Sequence, residues 1–479
     1  MTPISRRTFL KTTAAGAGAA VAGLPFSRVL GANDDIRVAV VGLNGQGGAH
    51  INQLAPLDRV RLTALCDVDE RVLNRTARQL QRRNIEVATY TDIRALLEND
   101  DIDAITIASP NHWHSLMTIW ACQAGKDVYV EKPCSHNIYE GRKTVEAARK
   151  YNRIVQHGTQ NRSSTGWARQ IAAVHSGEYG ELLVAKGYCC KPRWSIGHMP
   201  DEDPPSHLNF DLWLGPAPEQ PFHRNLVHYN WHWFWDTGNG DMGNQGVHEM
   251  DLARWAIKDA TLPRSVVTMG GRWVNTRDFS DQGETPNMLL SVFDYGETLL
   301  VFETRGLVDG RLRRSFPRKV TAEFYLEAGV IRDGKFFPEG QGSGEDLIPV
   351  EPGIRPKGPF GNFFDCVRSR KQSELNADIL EGHYSSALCH LGNISYRVGE
   401  EVPFEERPQL FQENEIVSDS MQTILENTQA LGVEPEHATY RLGPKLAFNP
   451  ETEQFVDHPL ANRFLWRDYR EPFVVPETV

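Results

Sequence analysis

Apolar runs and helical stretches alternate over the first third of the chain. The apolar runs predict buried strands at residues 36–41, 60–66, 103–108 and 128–130. Helical spacing of apolar residues predicts helices at 49–57, 68–83 and 116–124. Strands that alternate with helices form a doubly wound parallel sheet of the α/β class. A ligand of such a sheet should lie at the carboxyl ends of the strands.

The hydrophobic pattern changes after residue 160. Strand-like runs follow at 182–189, 264–270, 288–293, 298–304, 319–326 and 330–332. Turns at 294–296 and 332–334 separate the later runs and predict an antiparallel meander, and therefore an α+β domain with an open, mainly antiparallel sheet. Residues 359–399 have a helical pattern, and residues 400–479 contain eight prolines and predict a wrapping tail with few regular elements.

Charge is distributed unevenly along the 479 residues. The chain has 51 basic and 62 acidic residues, yet its first 31 residues contain Arg6, Arg7, Lys11 and Arg28 and no acidic residue. The acidic remainder repels phosphate backbones and anionic lipid, so we expect no nucleic acid and no membrane as a main partner. No later run approaches the roughly 18 apolar residues of a membrane span, which predicts a soluble mature protein of two or three domains.

The first 32 residues have the layout of an export signal. Arg6 and Arg7 precede a weakly apolar stretch of mostly Ala and Gly, and small residues lie near Gly31. Adjacent arginines and low hydrophobicity resemble a twin-arginine signal, and the alternative is a basic tail with chance arginines. We expect cleavage near residues 31–33, the twin-arginine export machinery as a partner, and a periplasmic or otherwise exported protein.

Cysteine and histidine spacing gives no sign of a metal site. The number of cysteines is odd and no Cys-x-x-Cys pair occurs, so neither a disulfide framework nor a zinc ribbon is indicated. We expect buried thiols at Cys66, Cys122, Cys134, Cys189, Cys190, Cys366 and Cys389. His112-x-His114 comes nearest to a ligand pair, and we assign it to cofactor contact.

A glycine-rich loop follows the first predicted strand. It runs from Gly42 through Asn44 and Gly45 to Gly47, and Asn44 occupies the second position of the Gly-x-Gly-x-x-Gly pattern. Such a loop lets the backbone approach a pyrophosphate at a helix N-terminus. Asp67 ends the second strand 20 residues after Gly47, where a carboxylate reaches ribose hydroxyls and repels a 2′-phosphate, so NAD is favoured over NADP. The alternative is that Asp67 or Asp69 only caps a helix.

Two further strand ends carry the motifs Ser109-Pro110-Asn111-His112-Trp113-His114 and Glu131-Lys132-Pro133. Together with residues 158–162, 240–251 and 375–378, they resemble the Gfo/Idh/MocA oxidoreductase family over residues 36 to 399. The resemblance implies an N-terminal Rossmann domain. It also implies cofactor contacts at Ser109, Pro110, His114, Glu131, Lys132 and Gln160.

The resemblance also implies where the chemistry takes place. Lys132 is expected beside the reacting carbon, where it would donate to the substrate oxygen with a lowered pKa. His248 is the candidate base, because imidazole titrates near the working pH. Many family members have Asp-x-x-x-His where this chain has Asn244-x-x-x-His248, so a carboxylate relay is in doubt and Asn244 is expected to bind substrate. Asp251 and Arg254 are predicted to make helix-surface contacts.

An aromatic segment precedes the candidate base. Trp231, Trp233 and Trp235 alternate, and in a strand they would share one face. Indole rings stack on the apolar faces of sugars, although an aromatic core or a dimer contact explains the pattern equally well. Proximity to His248 favours a carbohydrate pocket, so we predict substrate contacts at Arg193, Tyr229, Asn230 and Trp231.

The patterns divide the chain into five segments. We predict a signal at 1–32, a nucleotide domain at 33–160, a substrate domain at 161–355, a helical return at 356–400 and a C-terminal extension at 401–479. In the resembled family the open sheet often forms a subunit interface, so the resemblance implies a homo-oligomer.

Three functions are compatible with these residues. The leading hypothesis is an exported NAD-dependent oxidoreductase that transfers a hydride between a sugar or polyol carbon and a tightly bound nicotinamide. The first alternative is a lyase, hydratase or glycosidase that oxidises C3 of a glycoside transiently. The second is a non-catalytic sugar-binding protein of the same fold, which the presence of both Lys132 and His248 disfavours.

Overall fold

The computed structural model describes residues 35–274, 281–308, 314–355, 357–404, 406–434 and 438–479. The predicted signal at 1–32 lies outside these residues. Among the described helices, none is long and apolar enough to cross a membrane. All seven cysteines are unbridged and buried, which confirms the prediction of buried thiols.

A parallel sheet forms the first part of the molecule. Its strands are β1 (Ile36–Val41), β2 (Val60–Cys66), β3 (Ala88–Tyr90), β4 (Ala104–Ile107), β5 (Asp127–Val130) and β6 (Val155–His157), in the order β3-β2-β1-β4-β5-β6. The order reverses between β1 and β4, which opens a crevice at their carboxyl ends. Every residue of β1 is buried, as expected of a parallel strand covered on both faces.

Five helices cover this sheet: α1 (Gln46–Leu54), α2 (Glu70–Gln81), α3 (Ile93–Leu97), α4 (His114–Gln123) and α5 (Ile138–Lys150). The α/β prediction is confirmed, with strand ends shifted by at most one residue. Helix α1 begins three residues before its predicted start, because its first turn, Gln46-Gly47-Gly48, lacks the apolar side chains by which the sequence pattern was recognised.

The next part of the chain crosses to a second sheet. It contains α6 (Thr165–His175), β7 (Leu182–Cys190), α7 (Phe210–Leu214), α8 (Val247–Ala256), β8 (Ser265–Gly271), β9 (Met288–Asp294), β10 (Leu299–Arg305), β11 (Lys319–Leu326), β12 (Gly329–Arg332), β13 (Lys335–Pro338) and β14 (Glu345–Asp346). Neighbouring strands run in the order β14-β13-β12-β11-β7-β10-β9-β8.

The prediction of a mainly antiparallel sheet is confirmed, but the simple meander is wrong. Strand β7 lies between β11 and β10, and it is parallel to β10. A long crossover that contains the aromatic segment and α8 separates β7 from β8. The later strands therefore lie on both sides of β7, with β10, β9 and β8 on one side and β11 to β14 on the other.

The chain then returns to the first sheet through α9 (Gly358–Ser369) and α10 (Ile379–Arg397), as predicted. Phe360 and Phe363 of α9 share a core with Ile36 and Val38 of β1. Helix α10 is buried along most of its length and packs against α5, α8 and β8. The substrate sheet and the parallel sheet are therefore joined by one helix.

The prediction of a largely irregular tail is wrong. The tail contains β15 (Glu400–Pro403), α11 (Glu415–Gln429), β16 (Thr439–Leu442), β17 (Leu446–Asn449), β18 (Gln454–Phe455) and α12 (Pro459–Arg463), and β16 and β17 both pair with β8. Its prolines misled the prediction because several lie at element boundaries: Pro403 ends β15 and Pro459 opens α12, a position that tolerates proline.

Helix α11 covers the outer face of the substrate sheet. Its buried residues Met421, Ile424 and Leu425 share a core with Val184 of β7 and Val301 of β10. Burial of this apolar stripe is the main force that holds α11 in place, since most helical stability in proteins comes from packing.

We expect Ile424→Ala to lower the free energy of unfolding by about 2–5 kcal/mol, because it leaves a cavity between α11 and the sheet. The control Gln422→Ala changes an exposed residue of the same helix and should stay within about 0.5 kcal/mol. Chemical denaturation followed by tryptophan fluorescence measures both values. Equal losses in the two variants would contradict the packing of α11 on the sheet.

Candidate active site

A cavity of about 520 Å³ opens at the carboxyl ends of β1, β2, β4 and β5. Its wall includes the glycine loop, residues of the aromatic segment and His248 of α8. The cavity therefore lies where the reversal of strand order places it, and both domains contribute to its wall.

The glycine loop forms the phosphate end of the cavity. Gly42 has φ +78° and a Cβ there would lie 2.7 Å from the backbone nitrogen of Ser109, so no side chain fits. Gly45 has φ +67° and its Cβ position has no neighbouring atom within 4 Å, because the loop faces open space there. Gly42, Asn44 and Gly45 line the cavity, and α1 begins directly after them. This is the arrangement that presents backbone N–H groups to a phosphate.

Gly47 does not line the cavity, contrary to prediction. A Cβ at Gly47 would lie 1.7 Å from the carbonyl oxygen of Gly42. The absence of a side chain instead lets α1 pack directly against the end of β1, which is the role of the third glycine in this type of loop.

Asp67 and Asp69 have different roles, because Asp69 caps a helix and Asp67 does not. Asp69 caps α2 by accepting hydrogen bonds from the backbone N–H groups of Arg71 and Val72. Asp67 lines the cavity and accepts from the N–H of Leu43 at 2.8 Å. Burial raises the pKa of Asp67, and the backbone hydrogen bonds oppose that rise. Its carboxylate is thus fixed beside the glycine loop.

Both histidines of the Ser109–His114 motif lie within hydrogen-bonding distance of backbone carbonyl oxygens. His114 lines the cavity, and its ring nitrogens lie 2.6 Å from the Pro133 oxygen and 2.8 Å from the Ser109 oxygen. His112 lies outside the cavity, against the carbonyl oxygens of Trp213 and Thr237. The prediction of cofactor contact is therefore wrong for His112, which joins the nucleotide domain to the aromatic segment.

Glu131 is a buried carboxylate at the end of β5. Its Oε1 atom accepts from Gln160 Nε2 at 2.9 Å and from Gln46 Nε2 at 3.1 Å, and it lies 3.0 Å from His50 Nε2. Burial alone would raise the pKa of Glu131, but the hydrogen bond from His50 and the charge of Lys132 outweigh it and lower the pKa to about 2. Glu131 is therefore ionised. Sequence reasoning missed both Gln46 and His50.

Lys132 projects from the strand end towards α8. Its Nζ atom donates a hydrogen bond to the backbone oxygen of Asn244. Burial lowers the pKa of Lys132, and the charge of Glu131 partly opposes this. This direction agrees with the lowered pKa expected from the sequence, and burial is its main cause.

His248 and Asn244 lie one turn apart, where a π-helical turn leads into α8. Both line the cavity, and Asn244 Nδ2 is 3.5 Å from the Tyr229 hydroxyl. Burial and the nearby Lys132 lower the pKa of His248 to about 3, so its imidazole is neutral at ordinary pH. A neutral imidazole can accept a proton.

The aromatic segment is not a strand, contrary to prediction. Residues Asn230–Trp233 form one 3-10 turn, so the alternate tryptophans do not share a face. Trp231 is buried, lines the cavity and stacks on His232 with ring centres 3.6 Å apart. Trp233 is buried beneath Arg193. The segment therefore contributes to the core as well as to the cavity.

Two predicted substrate contacts, Arg193 and Asn230, lie outside the main cavity. Both line a neighbouring cavity of about 180 Å³, with Tyr229 shared between the two. Arg193 is held by Asp241, a non-local ion pair that sequence spacing does not reveal.

The prediction of helix-surface contacts at Asp251 and Arg254 is also wrong. Both residues are buried. Asp251 pairs with Arg162 of the segment between β6 and α6, and Arg254 pairs with Glu381 of α10. These contacts hold α8 against the rest of the protein.

Several cavity residues gave no signal in the sequence. They are Thr91, Asp92, Trp213, His228 and His232. His228 lies 3.0 Å from Asp69 Oδ2, where the cavity wall passes from one domain to the other. Trp213 belongs to the short helix α7 and the other four to loops and turns, and only the tertiary fold brings them to the strand ends.

The residues of the cavity fit a dinucleotide. The loop at Gly45 has an open face towards the cavity, and Asp67 offers acceptors beside it. Glu131, Lys132 and His114 follow along the same wall. Donors for phosphate, acceptors for ribose and a cationic group therefore share one cavity, as binding of NAD would require.

We expect Asp67→Asn to reduce the preference for NAD over NADP by about tenfold or more, because it removes the charge that repels a 2′-phosphate. Titration of both cofactors with tryptophan fluorescence measures the two dissociation constants. Asp101→Asn alters an exposed carboxylate that does not line the cavity and should leave the ratio unchanged. A wild-type protein that carries NADP would contradict the role of Asp67.

Comparison with known proteins agrees with this geometry. Residues 36–159 match the NAD-binding Rossmann fold of the Gfo/Idh/MocA oxidoreductase family, and residues 181–272 match the C-terminal α/β domain of that family. The first of these domains binds NAD. Residues 3–23 match the twin-arginine translocation signal, which indicates export across the membrane to the periplasm.

Curated relatives match only part of the chain. A glycosyl hydrolase family 109 protein of Saccharopolyspora erythraea is 32% identical over an alignment of 208 positions that covers 39% of this chain and 45% of that protein. A protein of the same name from Shewanella baltica is 30% identical over 38% of this chain and 40% of its own length. The chain thus covers less than half of these relatives.

Solved structures share the fold. The WlbA dehydrogenase of Bordetella pertussis, in complex with NADH and UDP-GlcNAcA, has a TM-score of 0.55 and 18% identity over 76% of this chain and 97% of its own. The myo-inositol dehydrogenase of Lactobacillus casei, in complex with NAD(H) and myo-inositol, has a TM-score of 0.53 and 16% identity over 76% and 95%. Two consecutive domains of this chain therefore match models of the Gfo/Idh/MocA oxidoreductase family, and the solved structures share its fold.

Proposed function

We propose that this protein is an exported oxidoreductase that acts on a CH–OH group of a sugar or polyol with tightly bound NAD. One observation carries the proposal: Lys132, Asn244 and His248 line the same cavity as the glycine loop and Asp67. A proton acceptor, a cation and a polar amide thus share one cavity with the phosphate-binding loop.

When bound, NAD supplies the hydride acceptor. The protein's own residues handle the proton and the charge on oxygen. Neutral His248 takes the proton of the substrate hydroxyl, and Lys132 donates a hydrogen bond to the same oxygen as it becomes a carbonyl. Asn244 orients the hydroxyl, because an amide can donate and accept but cannot take up the proton. The absence of a carboxylate at position 244 leaves His248 as the single base.

A carbohydrate substrate suits the wall opposite the glycine loop. Tyr229 and Trp231 offer aromatic surface, and Asn244 offers hydrogen-bonding groups beside it. Sugars present apolar ring faces and polar edges, so they match this combination. Two proteins with the same fold were crystallised with a sugar nucleotide and with myo-inositol, which supports the substrate class.

A second candidate is a redox-neutral glycosidase or lyase. It is favoured by relatives named glycosyl hydrolase family 109 at about one-third identity. In this reaction, oxidation at C3 would acidify the proton at C2, and loss of that proton would expel the group at C1, which leaves protonated. In a glycosidase, water would then add to C1 and a proton to C2 before C3 is reduced again. The cycle needs no external redox partner, which suits a protein exported with its cofactor.

We expect His248→Asn and Lys132→Met each to lower kcat/KM by about 10²- to 10⁴-fold, the usual contribution of acid–base groups. The wild-type rate should stay level as the pH falls to about 5, because the base works deprotonated and its pKa lies near 3. The rate should fall at alkaline pH as Lys132 loses its proton, at a lower pH than an ordinary lysine would.

The competing base in this test is His232, which also lines the cavity. A large loss in His232→Asn with little change in His248→Asn would assign the proton to His232. A rate that falls with an ordinary histidine pKa would contradict a buried, neutral base.

A panel of sugars and glycosides incubated with purified protein, without added NAD, separates the two candidates. An oxidoreductase should produce persistent absorbance at 340 nm in proportion to the enzyme, since the hydride stays on the cofactor. A redox-neutral glycosidase should release reducing sugar over many turnovers with no lasting absorbance. Turnover that survives in both His248→Asn and Lys132→Met would contradict both candidates.

A further inference from the structure

The crossover between β7 and α8 is bonded to the nucleotide domain directly after β2. The Glu70 N–H group donates to the His207 carbonyl oxygen at 2.9 Å, and the Asn209 N–H group donates to the Val68 carbonyl oxygen at 3.0 Å. These two hydrogen bonds form an isolated antiparallel β-bridge between the two segments. The crossover is therefore attached at the residues that follow Asp67.

The same crossover is bonded again beyond β4. The carbonyl oxygen of Trp213, on α7, lies 3.0 Å from His112 Nε2 and accepts a hydrogen bond from Trp113 Nε1 at 3.0 Å. In the sheet, β1 lies between β2 and β4, so a segment that is bonded beyond both strands has to cross the end of β1. Leu212 and Trp213 line the cavity. Residues 207–213, which we name the strap, therefore cover the crevice in which the glycine loop lies.

The side chain of Asp69 holds two points of the crossover. Its Oδ1 atom lies 3.1 Å from Nδ1 of His207, within the strap, and its Oδ2 atom lies 3.0 Å from Nε2 of His228, beyond the strap. Burial alone would raise the pKa of Asp69, but the backbone hydrogen bonds from Val72 and Arg71 and the two nearby histidines outweigh it and lower the pKa. Asp69 is therefore an ionised carboxylate, although it is buried.

A capping role alone does not explain the two histidines. An aspartate at a helix N-cap is satisfied by backbone N–H groups of the first turn, and Asp69 already accepts two such bonds. The two imidazoles come from a distant part of the chain, and hydrogen bonds to an ionised carboxylate are among the strong ones. Their effect is to join the strap and the cavity wall at His228 to the start of α2.

We propose that the strap encloses bound NAD, and that Asp69 keeps it closed through His207 and His228, so that the cofactor leaves only when the strap opens. Asp69 and His207 are positioning residues: neither lines the cavity, so each acts on NAD through the strap. This proposal rests on the proposed function, because it concerns the tightly bound NAD of the same site.

The test mixes holoprotein with a large excess of NADH. Energy transfer from the tryptophans of the cavity to NADH follows the replacement of bound NAD, and its rate at high NADH gives the rate constant for release. We expect His207→Ala to raise this rate constant about tenfold or more, the usual effect of losing a hydrogen bond to a charged group. His207→Asn should restore most of the slow release, because its amide N–H can donate to Asp69. The control His175→Ala alters a histidine of α6 that contacts the Ala256 carbonyl outside the cavity, and should leave release unchanged.

Hydrogen–deuterium exchange on the same holoproteins measures opening of the strap. His207→Ala should speed exchange of the amides at 207–213, while those of the buried strand β8 should exchange as in the wild type. Faster release of NAD without faster exchange in the strap would overturn the proposal. Faster exchange in the strap with unchanged release would overturn it as well, because the strap would then not retain the cofactor.

Thermal melting shows whether His207→Ala remains folded. If it does not, Asp69→Asn replaces it: asparagine caps a helix as well as aspartate does, but it lacks the charge that binds both histidines, so release should again be about tenfold faster or more. Wild-type NAD that exchanges within the mixing time would overturn the strap and leave the sugar chemistry of the proposed function intact. Slow release that depends on His207, with no reaction of any sugar, would support the strap and contradict the proposed function.

Discussion

The structure of the site depends on one buried negative charge. Glu131 ends β5 inside the protein, where an ionised carboxylate is stable only if hydrogen bonds and opposite charge replace water. The Glu131 Oε1 atom contacts Gln46 and His50 of α1 and Gln160 of the segment after β6. This one oxygen atom therefore connects β5, α1 and that segment. Gly158 completes this environment, since a Cβ there would lie 2.9 Å from Glu131 Cα. The hydrogen bonds that stabilise the Glu131 charge therefore also fix the strand end from which Lys132 projects.

Buried contacts next to Glu131 also couple the two domains. Lys132 follows Glu131 and reaches the backbone of Asn244, so the cation is held between the parallel sheet and the turn before α8. The His112 contacts to Trp213 and Thr237 cross the same boundary, and the Arg162–Asp251 ion pair holds α8 against the segment that follows β6. Because all of these contacts are buried, movement of α8 would break several of them together. The base at His248 and the cation at Lys132 therefore keep a constant relation to each other.

Local patterns in the sequence predicted the strands and loops whose conformation depends on residues close together in the chain. The β1 and β2 strands, the loop at Gly42 and the Asp67 position follow from hydrophobic runs and short spacing. Pairings between distant residues left no such pattern: Arg193 looked like a substrate contact because its partner Asp241 is 48 positions away. The alternating tryptophans from Trp231 onwards suggested a strand face, but indole rings also pack around a compact 3-10 turn. The prolines of the tail were read as breaks, although several mark the boundaries of helices and strands.

The C-terminal residues give the export route a physical reason. Phe473, Val475 and Val479 are buried in a core that also contains Val41 and Ile107, at the ends of β1 and β4. The nucleotide domain begins at the N-terminal side of the chain, yet its core is complete only after these last residues have been made. A twin-arginine signal at residues 3–23 directs proteins to a route that accepts folded cargo, and so it suits a domain whose core combines residues far apart in the chain.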